Sequence, residues 1–202
     1  MPNADFFHRL GLFTRRSFLT PDECARLRTE VAQVELAPAT VRVEGTRYAV
    51  EEETRRSKAA AMAEATQADL EQRLIEVRWE VAEHFGLPLT GIQPPQFLVY
   101  GVGDHFTRHV DQAPDEDGAP FSRARKISIV MFLNGEAADP EPGAFGGGAL
   151  TFYDLLGDGK GGSFGLPLVA EPGLLVAFPA DLVHEVTPIA HGERYTVVTW
   201  FT

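Results

Sequence analysis

Apolar residues recur along this chain with two different periods, and the change falls near Pro95. Before it, Cys24, Leu27, Val31 and Val34 repeat at helical spacing behind the segment Thr20-Pro21-Asp22-Glu23. That segment predicts a helix start, with Thr20 as cap, Pro21 where a missing N–H costs nothing, and Glu23 reaching back to the cap backbone. A second helix is predicted over about residues 66–85, where Leu70, Leu74, Val77 and Val81 make one stripe and Gly86 supplies the stop. Both stripes are expected to face a core and to brace something built from strands.

After Pro95 the texture becomes short β-rich runs broken by Gly, Pro and Asp, at residues 96–102, 126–133, 149–153, 174–178, 184–188 and 194–201. Runs of this kind without helical periodicity between them predict a sandwich or jelly roll. Residues 113–125 and 157–165 read as surface loops. With no internal repeat and no linker, the expectation is one domain over residues 1–202: a helical support region, 1–90, and a jelly-roll core, 91–202. The predicted class is mainly β with flanking helices.

Length and charge narrow the possibilities. A chain of 202 residues can enclose a sizeable core without covalent support. No apolar run approaches the roughly 20 residues that cross a bilayer. Residues 1–8 have neither a basic start nor a long apolar stretch, so a membrane span and a secretory leader are not expected and the compartment expected is the cytoplasm. Cys24 is the one cysteine, which excludes an intramolecular disulfide and metal sites built from several cysteines, leaving nitrogen and oxygen to hold any ion. The net charge of −11 weighs against nucleic-acid binding.

Candidate chemistry starts at His109-Val110-Asp111. Residues two apart on an extended segment project to one face, so an imidazole and a carboxylate there can converge on one ion. His184 heads a later β-rich run, and Arg194 follows a predicted turn at Ala190-His191-Gly192 that would bring it back toward the ion. Two histidines and one carboxylate leave adjacent coordination positions open on iron(II), and a guanidinium pairs bidentately with a carboxylate.

These residues sit in a longer pattern. Tyr100, Gly103, Phe106, His109 and Asp111, the strand Arg125-Lys126-Ile127-Ser128 with Phe132-Leu133-Asn134, and Gly147-Gly148-Ala149-Leu150-Thr151-Phe152 fall in order. Gly173 to Phe178, His184 to Pro188, Gly192-Glu193-Arg194-Tyr195 and Trp200-Phe201 complete it. The chain from about residue 96 to 201 thereby resembles the 2-oxoglutarate and iron(II)-dependent oxygenase superfamily, nearest its prolyl 4-hydroxylase-like branch. The resemblance implies a double-stranded β-helix (a cupin-like jelly roll), with His109, Asp111 and His184 on the metal and Arg194 on the far carboxylate of 2-oxoglutarate. It implies a hydrogen bond from Tyr100 to the co-substrate, a contact from Ser128, and ascorbate as an optional cofactor. The implied reaction couples decarboxylation of 2-oxoglutarate to hydroxylation of an unactivated C–H by dioxygen, on a prolyl residue or a small amino-acid-like substrate. Phe132 stands where many relatives carry Tyr, and Arg194 replaces the Lys of many prolyl 4-hydroxylases. Asp111 argues against a halogenase, which lacks that carboxylate.

The remaining polar residues carry plainer expectations. His105 reads as a support or exposed residue rather than a ligand, His8, His84 and His191 as surface or helix-packing residues, Asp154 and Asp158 as turn formers, and Glu185 as solvated. Arg55-Arg56-Ser57 lies where prolyl hydroxylase relatives carry a substrate segment, yet an arginine pair before a helix usually reads as a solvated patch. The competing readings are a non-enzymatic jelly-roll module that binds a metal or ligand, and a cupin-type metalloenzyme without 2-oxoglutarate.

Overall fold

The computed structural model describes residues 3–44, 47–112, 119–155 and 164–202. Helix α1 (Ala4–Arg9) leads into β1 (Phe13–Arg15) and α2 (Pro21–Val31). Five short strands follow: β2 (Leu36–Pro38), β3 (Val41–Glu44), β4 (Arg47–Ala49), β5 (Arg55–Arg56) and β6 (Lys58–Ala60). The long helix α3 (Glu64–Phe85) closes this half. Beyond it run β7 (Gln96–Tyr100), β8 (His105–His109), the short α4 (Pro120–Arg123) and β9 (Ile127–Phe132). The chain ends with β10 (Phe145–Gly147), β11 (Leu150–Phe152), β12 (Leu166–Leu168), β13 (Leu175–Pro179), β14 (His184–Val186), β15 (Ile189–Gly192) and β16 (Arg194–Phe201).

The start of α2 and the end of α3 have the chemistry that the sequence predicts. Thr20 accepts from the Glu23 N–H and Glu23 accepts from the Thr20 N–H, a complete capping box with Pro21 at the first turn. α3 ends at Gly86, whose φ of 64° is the left-handed conformation that glycine adopts without steric cost.

A large sheet, ordered β1-β13-β9-β16-β7-β6-β2, faces a small sheet, ordered β12-β11-β14-β8-β5, in a double-stranded β-helix. Successive residues of the central strands point to opposite sides of the large sheet. Phe97 and Val99 of β7, Ile127, Ile129 and Met131 of β9, and Val197 of β16 pack with Leu70, Leu74, Val77 and Val81 of α3. Leu98, Tyr100, Val130 and Phe132 alternate with them and pack with Phe152 and Val186 of the small sheet. The helices therefore seal one face of the large sheet, and the functional cavity lies on its other face, between the sheets.

Three sequence expectations change in detail. Residues 1–90 supply strands as well as helices: β1 pairs β13 and β6 pairs β7 in the large sheet, while β5 pairs β8 in the small one. The predicted turn at 190–192 is instead part of β15, which pairs β10; the reversal is left to Gly192 at φ 70°, where a Cβ would collide with the Ala144 carbonyl oxygen. Of the predicted loop 113–125, residues 113–118 lie outside the described residues, and the remainder holds α4. Most of the predicted loop 157–165 lies outside them too.

Candidate metal centre and co-substrate site

Strand β8 lies beside β14 with His109 directly opposite His184. Past the end of β8 the chain bends so that the Asp111 N–H donates to the Ala180 carbonyl at 2.9 Å, which turns the carboxylate toward both imidazoles. His109 Nε2 stands 3.6 Å from Asp111 Oδ1, and His184 Nε2 stands 3.6 Å from Asp111 Oδ2. One donor atom from each of the three lies within 4.8 Å of the others. Donors about 2.1 Å from a shared ion sit roughly 3 Å apart, so small side-chain adjustments suffice for one divalent cation.

The ligand atoms are also prepared chemically. Nδ1 of His109 meets the Thr107 carbonyl at 2.8 Å, and Nδ1 of His184 meets the Leu182 carbonyl at 2.9 Å. A proton on each Nδ1 leaves each Nε2 lone pair for a metal. Burial lowers the His184 pKa to about 4, with the neighbouring His109 adding to the effect, so the ring is neutral at physiological pH. Burial alone would raise the Asp111 pKa, but His184, His109 and the Ser128 hydroxyl hold it well below the carboxylate range. The Phe106 ring stacks on His109 at 3.5 Å, and Phe178 meets His184 edge-on at 4.8 Å.

On the facing sheet, Arg194 begins β16 opposite Tyr100 of β7. Its guanidinium lies 5.2 Å from the Tyr100 ring centroid and 5.1 Å from that of Phe132. It is 1% exposed, yet its only side-chain hydrogen bond among the described residues is a 3.3 Å contact from Nη1 to the Thr196 hydroxyl, and its Nε is unpartnered. Burial lowers the Arg194 pKa to about 10, against the pull of Tyr100 and Glu136, which leaves it charged. Asn134 fixes the backbone on both sides: its amide donates to the Glu193 carbonyl at 2.7 Å and its oxygen accepts from the Tyr195 N–H at 2.9 Å. A buried cation with so few acceptors fits the carboxylate of a bound anion.

His109, Asp111, His184, Arg194 and Tyr100 all line one cavity of about 610 Å³. Ser128 is engaged differently from the co-substrate contact implied above: its hydroxyl donates to Asp111 Oδ2 at 2.6 Å. His105 turns to the Gly103 and Glu53 carbonyls, away from the ligand atoms. Glu185 is not simply solvated; it accepts from the Tyr153 hydroxyl and lies 3.8 Å from Arg108.

The arginine pair divides. Arg56 is the surface residue, paired with Asp104 at 2.8 Å, whereas Arg55 is buried, 4.8 Å from the Phe106 ring, and lines the cavity. Arg125 lines it as well, stacked 3.5 Å over Trp200, with Nη1 donating to the Asp111 carbonyl. Burial lowers the Arg125 pKa, with the pull of Asp111 opposing and the charge of Arg55 adding. Arg55, Arg125 and Asn134 fall in segments that the sequence singles out, but their contacts, like the place of Thr196, arise from neighbours on other strands and carry no signal in spacing.

A double-stranded β-helix with two imidazoles and a carboxylate on one sheet and a buried guanidinium on the other is the arrangement of a non-haem iron oxygenase. The family model of the 2OG-Fe(II) oxygenase superfamily matches residues 95–202, more than half of the chain, and the chain belongs to that family. Fe(II) and 2-oxoglutarate are the cofactors this membership carries.

Among curated relatives, a PKHD-type hydroxylase of Rhizorhabdus wittichii is 34% identical over 115 residues, 56% of this chain and 44% of that one. A PKHD-type hydroxylase of Burkholderia thailandensis is 36% identical over 115 residues, again 56% and 44%. The chain thus spans less than half the length of these relatives. A crystal structure of a Pseudomonas putida prolyl-4-hydroxylase superposes with a TM-score of 0.66 at 26% identity, covering 98% of this chain and 95% of that one. A Trichoplax adhaerens prolyl hydroxylase, solved with a hypoxia inducible factor peptide fragment, shares the fold at a TM-score of 0.68 and 16% identity, covering 98% and 86%. Among the described residues no helix is long and apolar enough to cross a membrane.

Proposed function

We propose that this chain forms a hydroxylase domain in which His109, Asp111 and His184 hold Fe(II) and Arg194 holds the far carboxylate of 2-oxoglutarate. The observation that carries the reading is the pairing of a convergent two-histidine, one-carboxylate ligand set with a buried guanidinium that has no carboxylate bonded to it, across one cavity. When bound, iron and 2-oxoglutarate supply the dioxygen activation that hydroxylates a C–H bond, with release of succinate and carbon dioxide. The protein's own part is positional. The carbonyls of Thr107 and Leu182 keep Nε2 of each histidine available, and Ser128 orients Asp111. Tyr100 and Phe132 hold the Arg194 plane and exclude water, which strengthens its attraction for a carboxylate. The Tyr100 hydroxyl supplies a donor to the same anion.

A non-enzymatic metal-binding jelly roll and a cupin-type enzyme without 2-oxoglutarate both leave Arg194 without a hydrogen-bonded anionic partner, so neither is favoured. Mixing the protein anaerobically with Fe(II) and 2-oxoglutarate is expected to give a visible metal-to-ligand charge-transfer band that His109→Ala abolishes. A wild-type protein that binds Fe(II) but gives no band with 2-oxoglutarate overturns the proposal.

A further inference from the structure

We propose that the substrate hydroxylated here carries a carboxylate of its own, received by Arg55 and Arg125 on the cavity wall beside the metal ligands. This rests on the oxygenase reading above and goes beyond it by naming the substrate's charge.

Acidic residues outnumber basic ones, 29 to 18, and several surface guanidiniums pair with them. Arg15 pairs with Glu80, Arg16 with Asp5 and Glu171, Arg26 with Glu30, Arg56 with Asp104, and Arg73 with Glu23. Arg55 and Arg125 make no ion pair with any described residue, although Arg55 is buried and Arg125 is half-buried. Arg55 is 9% exposed, and its acceptors are neutral: the Ser57 hydroxyl at 3.0 Å from Nε and the Thr40 carbonyl at 3.2 Å from Nη1. Arg125 donates from Nε to the Gln93 amide oxygen at 3.0 Å and from Nη1 to the Asp111 carbonyl at 3.2 Å. Neutral acceptors satisfy N–H groups without cancelling the charge, and each guanidinium keeps its Nη2 without a hydrogen bond among the described residues. Adjacent Arg56, with its carboxylate partner, shows that the same strand offers pairing where the side chain faces outward.

The charge of the loaded cavity points the same way. Its described lining holds three guanidiniums, Arg55, Arg125 and Arg194, and one carboxylate, Asp111. A divalent ion and a dicarboxylate co-substrate cancel one another, and Asp111 offsets one arginine. Among the described lining residues two positive charges remain, where they repel one another and where an anion gains most. An internal prolyl residue presents only neutral amides to them. A free amino acid, a C-terminal residue or an acidic side chain presents a carboxylate, and a guanidinium can take that bidentately. Phe106, Tyr48, Phe121 and Trp200 form the adjoining walls, which suits a compact apolar body behind the anionic group.

The test uses protein loaded anaerobically with Fe(II) and saturating 2-oxoglutarate. It is titrated by calorimetry with matched probes: N-acetyl amino acids and their amides, L-proline and L-prolinamide, and the dipeptide Gly-Pro with and without a C-terminal amide. A peptide blocked at both ends and carrying an internal glutamate beside proline serves as the acidic-side-chain arm. At least one carboxylate probe is expected to bind tenfold or more tightly than its neutral partner, with affinity that falls as salt rises. Arg55→Gln is expected to shrink that preference below threefold, and Arg55→Lys to retain part of it. Which arm binds tells a free amino acid from a C-terminal residue or an acidic side chain. Amides that bind as well as acids, or an absence of binding by every carboxylate probe, overturn the proposal. The charge-transfer band of the same samples separates the outcomes: if the band forms and the acid preference fails, only the charge assignment falls. Should Arg55→Gln not fold, the wild-type comparison of acids with amides decides.

Discussion

The two walls of the cavity treat their charges in opposite ways. On the small sheet, Asp111 sits between His109 and His184, and each imidazole is tethered through Nδ1 to a carbonyl two residues earlier. These groups satisfy one another before any ion arrives. On the large sheet, Arg194 is buried between Tyr100 and Phe132 with a single weak hydroxyl contact and an unpartnered Nε. That cation is held at a cost which only an anion offsets. The ligand wall is therefore preorganised and self-neutralising, while the guanidinium wall stores destabilisation that binding relieves.

The most severe way to break this contrast is Arg194→Met, which fills similar space without charge. Removing a buried, unpaired cation is expected to raise the melting temperature of the metal-free protein by several degrees, since such replacements gain about 1–4 kcal/mol and each kcal/mol moves a chain of this size about 2–4 °C. The same variant is expected to lose more than about 100-fold in 2-oxoglutarate affinity, a charge-assisted bidentate contact having gone. Thermal scans with and without 2-oxoglutarate check both halves. A variant that melts lower than wild type yet keeps the co-substrate-dependent shift contradicts the assignment of stored cost to Arg194.

The ligand wall responds to protons instead. The His184 pKa falls from 6.5 to about 4 on folding, so between those values the unfolded chain binds more protons and folding stability declines as pH drops. The loss is on the order of 3 kcal/mol, complete near pH 4, and absent above pH 6.5. Asp111 is depressed as well, so its contribution is lost in the same direction at still lower pH. Denaturant titrations of metal-free protein at pH 7, 5.5 and 4.5 measure this, and metal affinity should weaken over the same range because protons compete for Nε2. Stability that stays flat from pH 7 to 4.5 would show that His184 is not kept neutral by its surroundings.

How much of this was legible in the sequence depended on whether a residue's role was set locally or across strands. α2 and α3, and strands β7, β9, β13, β14 and β16, carry strong periodicity or alternation, and their bounds lie close to those predicted. The metal motif was legible because its residue types and order are specific. β2, β5 and β6 are two or three residues long and rich in Ala, Arg and Lys; they are strands because β7 and β8 offer edges to pair with, a tertiary effect that no local pattern records. β8 was hidden by its polar sequence, His105 to His109, although it carries a proposed ligand. Arg55 looked solvated beside Arg56, and only pairing opposite Phe106 reveals its burial.

Ser128 joins the two walls, since it stands on β9 of the large sheet and donates directly to Asp111 Oδ2. Ser128→Ala should cost about 10-fold in Fe(II) affinity, the lower end for loss of a group that orients a ligand. Once metal is saturating, 2-oxoglutarate affinity should change by less than about twofold. Iron titration followed by titration of the charge-transfer band separates the two. A variant that binds iron normally and 2-oxoglutarate poorly would restore the direct co-substrate contact that the family resemblance implies.

The smallest effect sought lies outside both walls. Thr20→Ala removes half of the capping box of α2, and such losses cost about 1 kcal/mol. Glu23, the other half, also bonds Arg73 of α3 at 2.6 Å, and the Thr20 backbone N–H and Arg73 together hold its pKa near 2. It therefore keeps the helices tied when the threonine hydroxyl is gone. Because α2 and α3 pack on the face of the large sheet opposite the cavity, the lost stability should appear as a melting temperature lower by about 2–4 °C, with the pH dependence, iron affinity and 2-oxoglutarate shift unaltered. Any change in those three readouts would mean that the helical layer sets the spacing of the walls and does more than cover the sheet, so that the contrast between ligand wall and guanidinium wall is maintained from behind.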